Sequence, residues 1–306
     1  MHAYTEHGGS FFPRQPYRSE GALAHLFALR SSHSTLQSFV DVTLNASIQD
    51  GRSYLVAAPF VFATFMQMDN LTSLDPLHAK TGIYRENELS LTLLLLAHDG
   101  LIPHRLVAWM PYLWVDGSTA TIAGRDVYGF PKQPGFFRMP GAIGTPADFG
   151  VESEVITRFD PASRAGRKPV LQVRRTDEPG TIEPSPMART ITDFFKCIFG
   201  LPGFHAIARG VLDLLHIRPE ITFVFLKQFR DAADGAAACF QSVFEARAPI
   251  TRFGTGELLL GDYEVEILDH DSAPLGRDLF GATSHSTKLK PSLACRFDLD
   301  FEINRS

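Results

Sequence analysis

Glu88-Leu89-Ser90-Leu91-Thr92-Leu93-Leu94-Leu95 sets Leu89, Leu91, Leu93 and Leu95 on one face and Glu88, Ser90 and Thr92 on the other. A period of two belongs to a β-strand, whose successive side chains point to opposite sides, so the segment predicts a half-buried strand. The same alternation returns at Tyr263, Val265 and Ile267 against Asp262, Glu264 and Glu266. It recurs at Phe297, Leu299, Phe301 and Ile303 against Arg296, Asp298, Asp300 and Glu302, and both segments read as antiparallel strands. Further strands are expected at 54–68, 105–115, 152–159, 169–175 and 221–228, separated by turn residues such as Asp116-Gly117. So many strands predict a mainly β (α+β) chain whose antiparallel or mixed sheet forms a closed or partly closed β-barrel with peripheral helices.

Helical periodicity is scarcer. Residues 34–44 predict a helix behind a serine cap, and 191–215 give a clearer pattern. There Phe194, Phe195, Ile198 and Phe199 precede a break at Gly200-Leu201-Pro202-Gly203, and Ile207, Val211, Leu214 and Leu215 follow it at three-to-four spacing. The reading is a helix hairpin at about 187–217, packed on the sheet or at a subunit interface, with a pocket lid or a membrane-surface contact as the alternatives. Residues 179–186 read as a loop. With no internal repeat, 1–306 is expected to be a single domain.

Composition narrows the function classes. A chain of 306 residues with 44% hydrophobic content can bury a sizeable core. A formal charge of −5 with scattered basic residues offers no stripe for phosphates, so nucleic acid is not an expected partner. Cys197, Cys239 and Cys295 lie 42 and 56 residues apart, which leaves neither a CxxC metal pair nor a disulfide framework. No metal site is expected, and a reducing compartment fits best. The start of the chain lacks the basic and apolar regions of a signal peptide. The longest apolar run, 93–97, is far short of the roughly 20 residues that span a bilayer. The expectation is a cytoplasmic protein without a membrane partner.

The chemistry concentrates in Gly124-Arg125-Asp126-Val127-Tyr128-Gly129-Phe130-Pro131-Lys132-Gln133. Only seven of the 29 basic residues are lysines, and Lys132 sits among aromatic and proline residues. An amine attacks a carbonyl only when neutral, and at its ordinary pKa roughly one lysine in 2,500 is neutral at pH 7. Apolar burial disfavours the ammonium and could supply that neutrality. Composition alone favours a solvated lysine on a turn after a strand.

The string at 124–132 resembles the acetoacetate decarboxylase signature, in which a Gly-Arg-acidic start leads to Pro-Lys-Lys. Further anchors follow in family order: Phe12-Pro13-Arg14-Gln15-Pro16-Tyr17, Tyr84-Arg85-Glu86, Arg218-Pro219 and Asp269-His270-Asp271-Ser272-Ala273-Pro274-Leu275. The resemblance implies that Lys132 is the Schiff-base lysine, which condenses with a keto acid so that the iminium accepts the electrons released with CO2. It implies no metal or organic cofactor. It also implies Glu86 as the acidic residue of the Tyr-x-Glu motif, for proton transfer or substrate orientation, with Glu88 on the same strand face. Tyr84 and Phe130 join the expected substrate pocket, and a homo-oligomer is expected.

The family pattern also breaks. Gln133 replaces the second lysine of the pair, so activation should rest on desolvation. Ungapped counting puts the family's substrate-region arginine on Ala22 and its other acidic residue on Ala63, substitutions expected to enlarge and dry the pocket. Arg18 or Arg125 could supply a replacement cation. The leading expectation is decarboxylation of a β-keto acid larger than acetoacetate. The alternatives are an aldolase-dehydratase acting on a keto acid and a non-catalytic carrier of a hydrophobic ligand.

Overall fold

In the computed structural model the strands are, in chain order, β1 (Tyr17–Arg30), β2 (Ser53–Val56), β3 (Phe60–Ser73), β4 (Tyr84–His98), β5 (Pro103–Val115), β6 (Lys132–Pro134) and β7 (Phe136–Arg138). They continue as β8 (Phe149–Val155), β9 (Gly166–Arg175), β10 (Ser185–Ala188), β11 (Glu220–Arg230), β12 (Ala238–Leu258), β13 (Tyr263–Leu268), β14 (Ser286–Leu289) and β15 (Leu293–Arg305). The helices are α1 (His33–Thr43), α2 (Ser118–Ala123), α3 (Ile191–Phe199) and α4 (Leu275–Phe280). The structure describes residues 4–5, 11–48, 50–98, 103–140, 148–177, 185–201 and 220–305.

Strand pairing closes the larger sheet on itself. Its strands run β4-β3-β1-β15-β12-β11-β5, and β5 pairs again with β4, so the chain is mainly β around a ring-like sheet. All junctions are antiparallel except β5–β11, a parallel contact of only Phe223 with Ala108 and Val224 with Trp109. Farther along β5, β6 takes over that parallel edge, with Lys132 opposite Leu113. A second sheet, β14-β13-β9-β8-β7, stands outside the ring.

Alternation sorts each ring strand between two compartments. Phe27, Leu29, Val61, Ala63, Phe65, Leu89, Leu91, Leu93 and Leu95 pack outward with Phe149, Val151, Leu171, Val173, Val265 and Ile267 of the second sheet. Each fully buried leucine or phenylalanine there contributes about 1.5–3 kcal/mol. The opposite faces of these strands turn inward: Leu26, Phe60, Phe62, Phe297 and Leu299 form one inner cluster with Phe194, Ile198 and Phe199 of α3. The sequence reading left Glu88, Ser90 and Thr92 as the wetter face of a half-buried strand. In the fold that face lines an interior cavity, because ring closure wraps it away from bulk solvent.

Other expectations shift for identifiable reasons. The 54–68 segment is two strands, β2 and β3, parted at Ala57-Ala58-Pro59, since Pro59 has no amide hydrogen for a ladder. β1 and β12 had no period-two signal. Seven consecutive residues of β1, Leu23–Leu29, are buried or nearly so on both faces, and β12 carries register shifts that interrupt its alternation. Helix α1 starts one residue before the expected boundary, where the Ser32 hydroxyl accepts the Thr35 amide at 3.3 Å. The first arm of the expected hairpin is α3, while its second arm falls outside the described residues. Pro186, read as the end of a loop, belongs to β10, a short strand at the margin of β12, where a proline is tolerated. Among the described residues no helix is long and apolar enough to cross a membrane.

Candidate active site

The glycines of the 124–132 stretch explain how the lysine reaches the interior. Helix α2 runs into a wider turn over Gly124–Tyr128, and the amides of Gly129 and Phe130 both donate to the Gly124 carbonyl at 3.1 Å. Gly129 then reverses the chain at φ 82°, where a Cβ would also lie 2.6 Å from the Cα of Lys227. A Cβ on Gly124 would stand 2.6 Å from Cδ of Lys132, so the lysine stem crosses the helix at the one residue that leaves room for it. Arg125 Nη1 donates to the Lys132 carbonyl at 3.2 Å and ties the turn to β6.

Lys132 thereby points into the ring, in one cross-strand row with Leu113 of β5 and Ser90 of β4. It is 8% exposed and Glu86 is 4% exposed. Lys132 Nζ lies 2.5 Å from Glu86 Oε1 and 3.9 Å from Glu88 Oε2. The Lys132 ammonium also stands 5.5 Å from the centre of the Phe130 ring, which packs against Phe225 at 4.0 Å between centroids.

The electrostatics correct the expectation of an amine kept neutral by a dry apolar wall. Burial does press the Lys132 pKa down, but the charges of Glu86 and Glu88 and the hydrogen bond to Glu86 prevail, and it is raised above the ordinary 10.5. Resting Lys132 is an ammonium. Glu88 moves the other way for a carboxylate: burial pushes it up to about 7, with the Lys132 charge opposing and the neighbouring Glu86 reinforcing the shift. At neutral pH the site therefore holds one firm cation and one carboxyl group that exchanges its proton readily.

These groups stand in a cavity of about 720 Å³. Around the lysine the wall includes Tyr17, Tyr84, Met110, Tyr128 and Phe130; farther along β4 it includes Thr92, Leu94, Phe62, Phe194 and Phe297. The other described lining cations, Arg85 and Arg105, are paired with Asp69 and Glu245, each at 2.8 Å.

Of the residues singled out in the sequence, Lys132, Glu86, Tyr84 and Phe130 share this cavity, as does Glu88. The rest lie outside its lining. Arg18 sits on the outer face of β1, bonded to Glu302 at 2.7 Å, and Arg125 is used on backbone. Gln133 follows Lys132 in a strand, so its side chain points the opposite way. Ala63 faces the packed outer layer, so it does not enlarge the pocket; Ala22 is fully buried away from the lining. Sequence reasoning missed Tyr17, Ser90, Thr64 and Thr92. The polar side of the 88–95 alternation carried the signal for two of them, and Thr64 pairs with Ser90 across the sheet.

No family model matches the chain, and no curated protein matches it. Solved structures do. An acetoacetate decarboxylase from Legionella pneumophila superposes with TM-score 0.59 at 12% identity, covering 100% of this chain and 96% of that one. An acetoacetate decarboxylase-like enzyme from Sphingomonas wittichii gives TM-score 0.53 at 15% identity, over 95% of this chain and 91% of that one. The enduracididine biosynthesis enzyme MppR, solved with the condensation product of pyruvate and imidazole 4-carboxaldehyde, gives TM-score 0.51 at 15% identity, over 97% and 88%. The chain has the acetoacetate decarboxylase-like fold.

Proposed function

We propose, from that fold and from the buried Lys132–Glu86–Glu88 cluster, that the protein is a cofactor-independent carbon–carbon lyase that forms an imine between Lys132 and a keto acid. The reaction favoured is decarboxylation of a β-keto acid larger than acetoacetate. The observation that carries the reading is the 2.5 Å contact between Lys132 Nζ and Glu86 inside the cavity.

An ammonium cannot attack, so its proton must leave first. Glu86 is already hydrogen-bonded to it and is the group that takes the proton. A substrate that fills the cavity displaces water and makes the charged pair less favourable than neutral amine plus carboxylic acid. Binding itself thus frees the nucleophile. Lys132 Nζ then adds to the ketone carbon, and the proton carried by Glu88 goes to the departing hydroxyl, which leaves as water and yields the iminium. Loss of CO2 sends its bonding electrons to the iminium nitrogen. The enamine carbon takes back the proton held by Glu86, and water hydrolyses the new imine to a ketone and free Lys132.

The charges favour gas release over retention of the carboxylate. Among the described lining residues the only other cations are already paired, so the substrate carboxylate has no dedicated partner besides the iminium itself. A poorly stabilised carboxylate gains by leaving as neutral CO2. A second reading, condensation of a keto acid with an aldehyde and dehydration, has one observation behind it: the cavity has room for two reactants.

Borohydride trapping with acetoacetate, longer 3-keto acids, and pyruvate plus an aldehyde, followed by mass mapping, tests the proposal. The expected result is a reduced adduct on Lys132 with the longer 3-keto acids and CO2 evolution that Lys132→Ala abolishes. A condensed product without gas selects the second reading. No adduct with any of them leaves a hydrophobic-ligand carrier and overturns the enzyme.

A further inference from the structure

The cavity is much longer than the chemistry at Lys132 requires, and its two parts are built differently. The end beside Lys132 is walled by Met110, Tyr128 and Phe130, backed by Leu113, Phe225 and Ala246 of the same small cluster, and contains every buried charge of the site. The other end belongs to a separate cluster in which Phe194, Ile198 and Phe199 of α3 meet Phe62, Leu26 and Phe297, with Phe194 and Phe297 only 4.4 Å apart between ring centres. Along β4 the inward side chains run Glu86, Glu88, Ser90, Thr92, Leu94, from carboxylate through hydroxyl to hydrocarbon. Glu86 and Leu94 are eight residues apart, roughly 27 Å of strand. A small keto acid would leave the α3 end empty or wet, although the rings of Phe62, Phe194, Phe199 and Phe297 there offer water no hydrogen-bonding partner.

We infer that the substrate carries a long apolar acyl chain, laid along the inward face of β4 from Lys132 towards α3, so that the protein acts on fatty 3-keto acids. This rests on the imine-forming role of Lys132 for the head group, while the tail site depends only on the apolar wall. The polarity gradient sets the orientation. The ketone and carboxylate meet the charged end, and the hydrocarbon lies between Leu94 of β4, Ala108 of β5 and the phenylalanines of α3 and β15. Ala108 is the natural gate on length, since it is a small residue in the lining, 2% exposed, and stands opposite both Leu94 and Phe223.

Straight-chain methyl ketones from butanone to undecanone, the products of such a reaction, are the probes. Their affinities are read by displacement of a fluorescent naphthalene dye and their adducts by borohydride reduction. Burial of each added methylene is expected to tighten binding about fourfold until the chain reaches α3, after which the series levels off. Ala108→Phe should move that plateau to shorter ketones. The unaltered protein's series decides the matter by itself if that variant does not fold. Affinity independent of chain length overturns the inference, even if a Lys132 adduct forms with butanone. Affinity that climbs with length but gives no adduct retains the apolar-chain site and removes the imine reading instead.

Discussion

The two faces of β4 meet two different interiors. Leu89, Leu91, Leu93 and Leu95 enter a filled layer between the ring and the outer sheet, and each is fully buried. Glu86, Glu88, Ser90, Thr92 and Leu94, one residue out of step, enter a hollow of about 720 Å³. The filled side holds the fold together, which lets the hollow side carry an ion pair and open space that would otherwise cost stability. Stability and chemistry are thus divided between odd and even positions of a single strand.

The largest effect expected from disturbing the hollow side is at Lys132. Lys132→Ala should bring turnover and borohydride trapping to background while the protein stays folded, checked by circular dichroism alongside the assay. Glu86→Gln should lower kcat by about 10²–10⁴-fold through loss of the proton acceptor, measured with the 3-keto acid that traps best. Glu88→Gln should act through pH. With its pKa pushed up to about 7, Glu88 is protonated below that value and loses its donor role above it. The rate of imine formation is therefore expected to fall as pH rises through about 7, and that limb should vanish in the variant.

The filled side should answer in stability instead. Leu91→Ala should cost about 2–5 kcal/mol in urea unfolding with little change in trapping by the surviving native protein. His25 tests the same layer by pH. Its ring packs on Phe149 with centroids 4.9 Å apart, and burial, helped by Arg296, lowers its pKa from 6.5 to about 4. An unfolded histidine protonates near 6.5 while the folded one stays neutral, so this contribution is complete above about 6.5 and is lost as pH falls towards 4. By linkage it amounts to at most about 3 kcal/mol, and His25→Phe should flatten the stability profile over that window. The smallest effect belongs to Leu94→Ala, expected to cost under about 1 kcal/mol because it is only partly buried, packed on the inner cluster on one side and bordering open space on the other. A loss equal to that of Leu91→Ala would erase the distinction between the two faces.

Legibility in the sequence followed the same division. The leucines of 88–95 announced a strand because one face was apolar, whereas the Gly124 to Lys132 stretch announced its chemistry only through its resemblance to the acetoacetate decarboxylase signature, since composition alone left Lys132 a solvated turn residue. Strand β1 stayed hidden, since a segment buried on both faces loses the alternation that marks strands. Which side of β4 faced a cavity could not be read either, because a hydroxyl-rich face looks alike whether it meets solvent or an enclosed pocket; only ring closure decides. Arg18 and Arg125 looked like free cations for the same reason. Their partners, Glu302 and the Lys132 carbonyl, come from strand register and from the turn geometry.

The titration of the Lys132 amine tests the hollow side most directly. Its acylation by a dinitrophenyl ester, followed against pH in the resting protein, should show a midpoint above the ordinary 10.5, and Glu86→Gln should lower it by removing the negative charge beside the ammonium. A midpoint near neutrality in the unaltered protein, unmoved by Glu86→Gln, would mean that the wall alone deprotonates the lysine and that the carboxylates of β4 do not govern it.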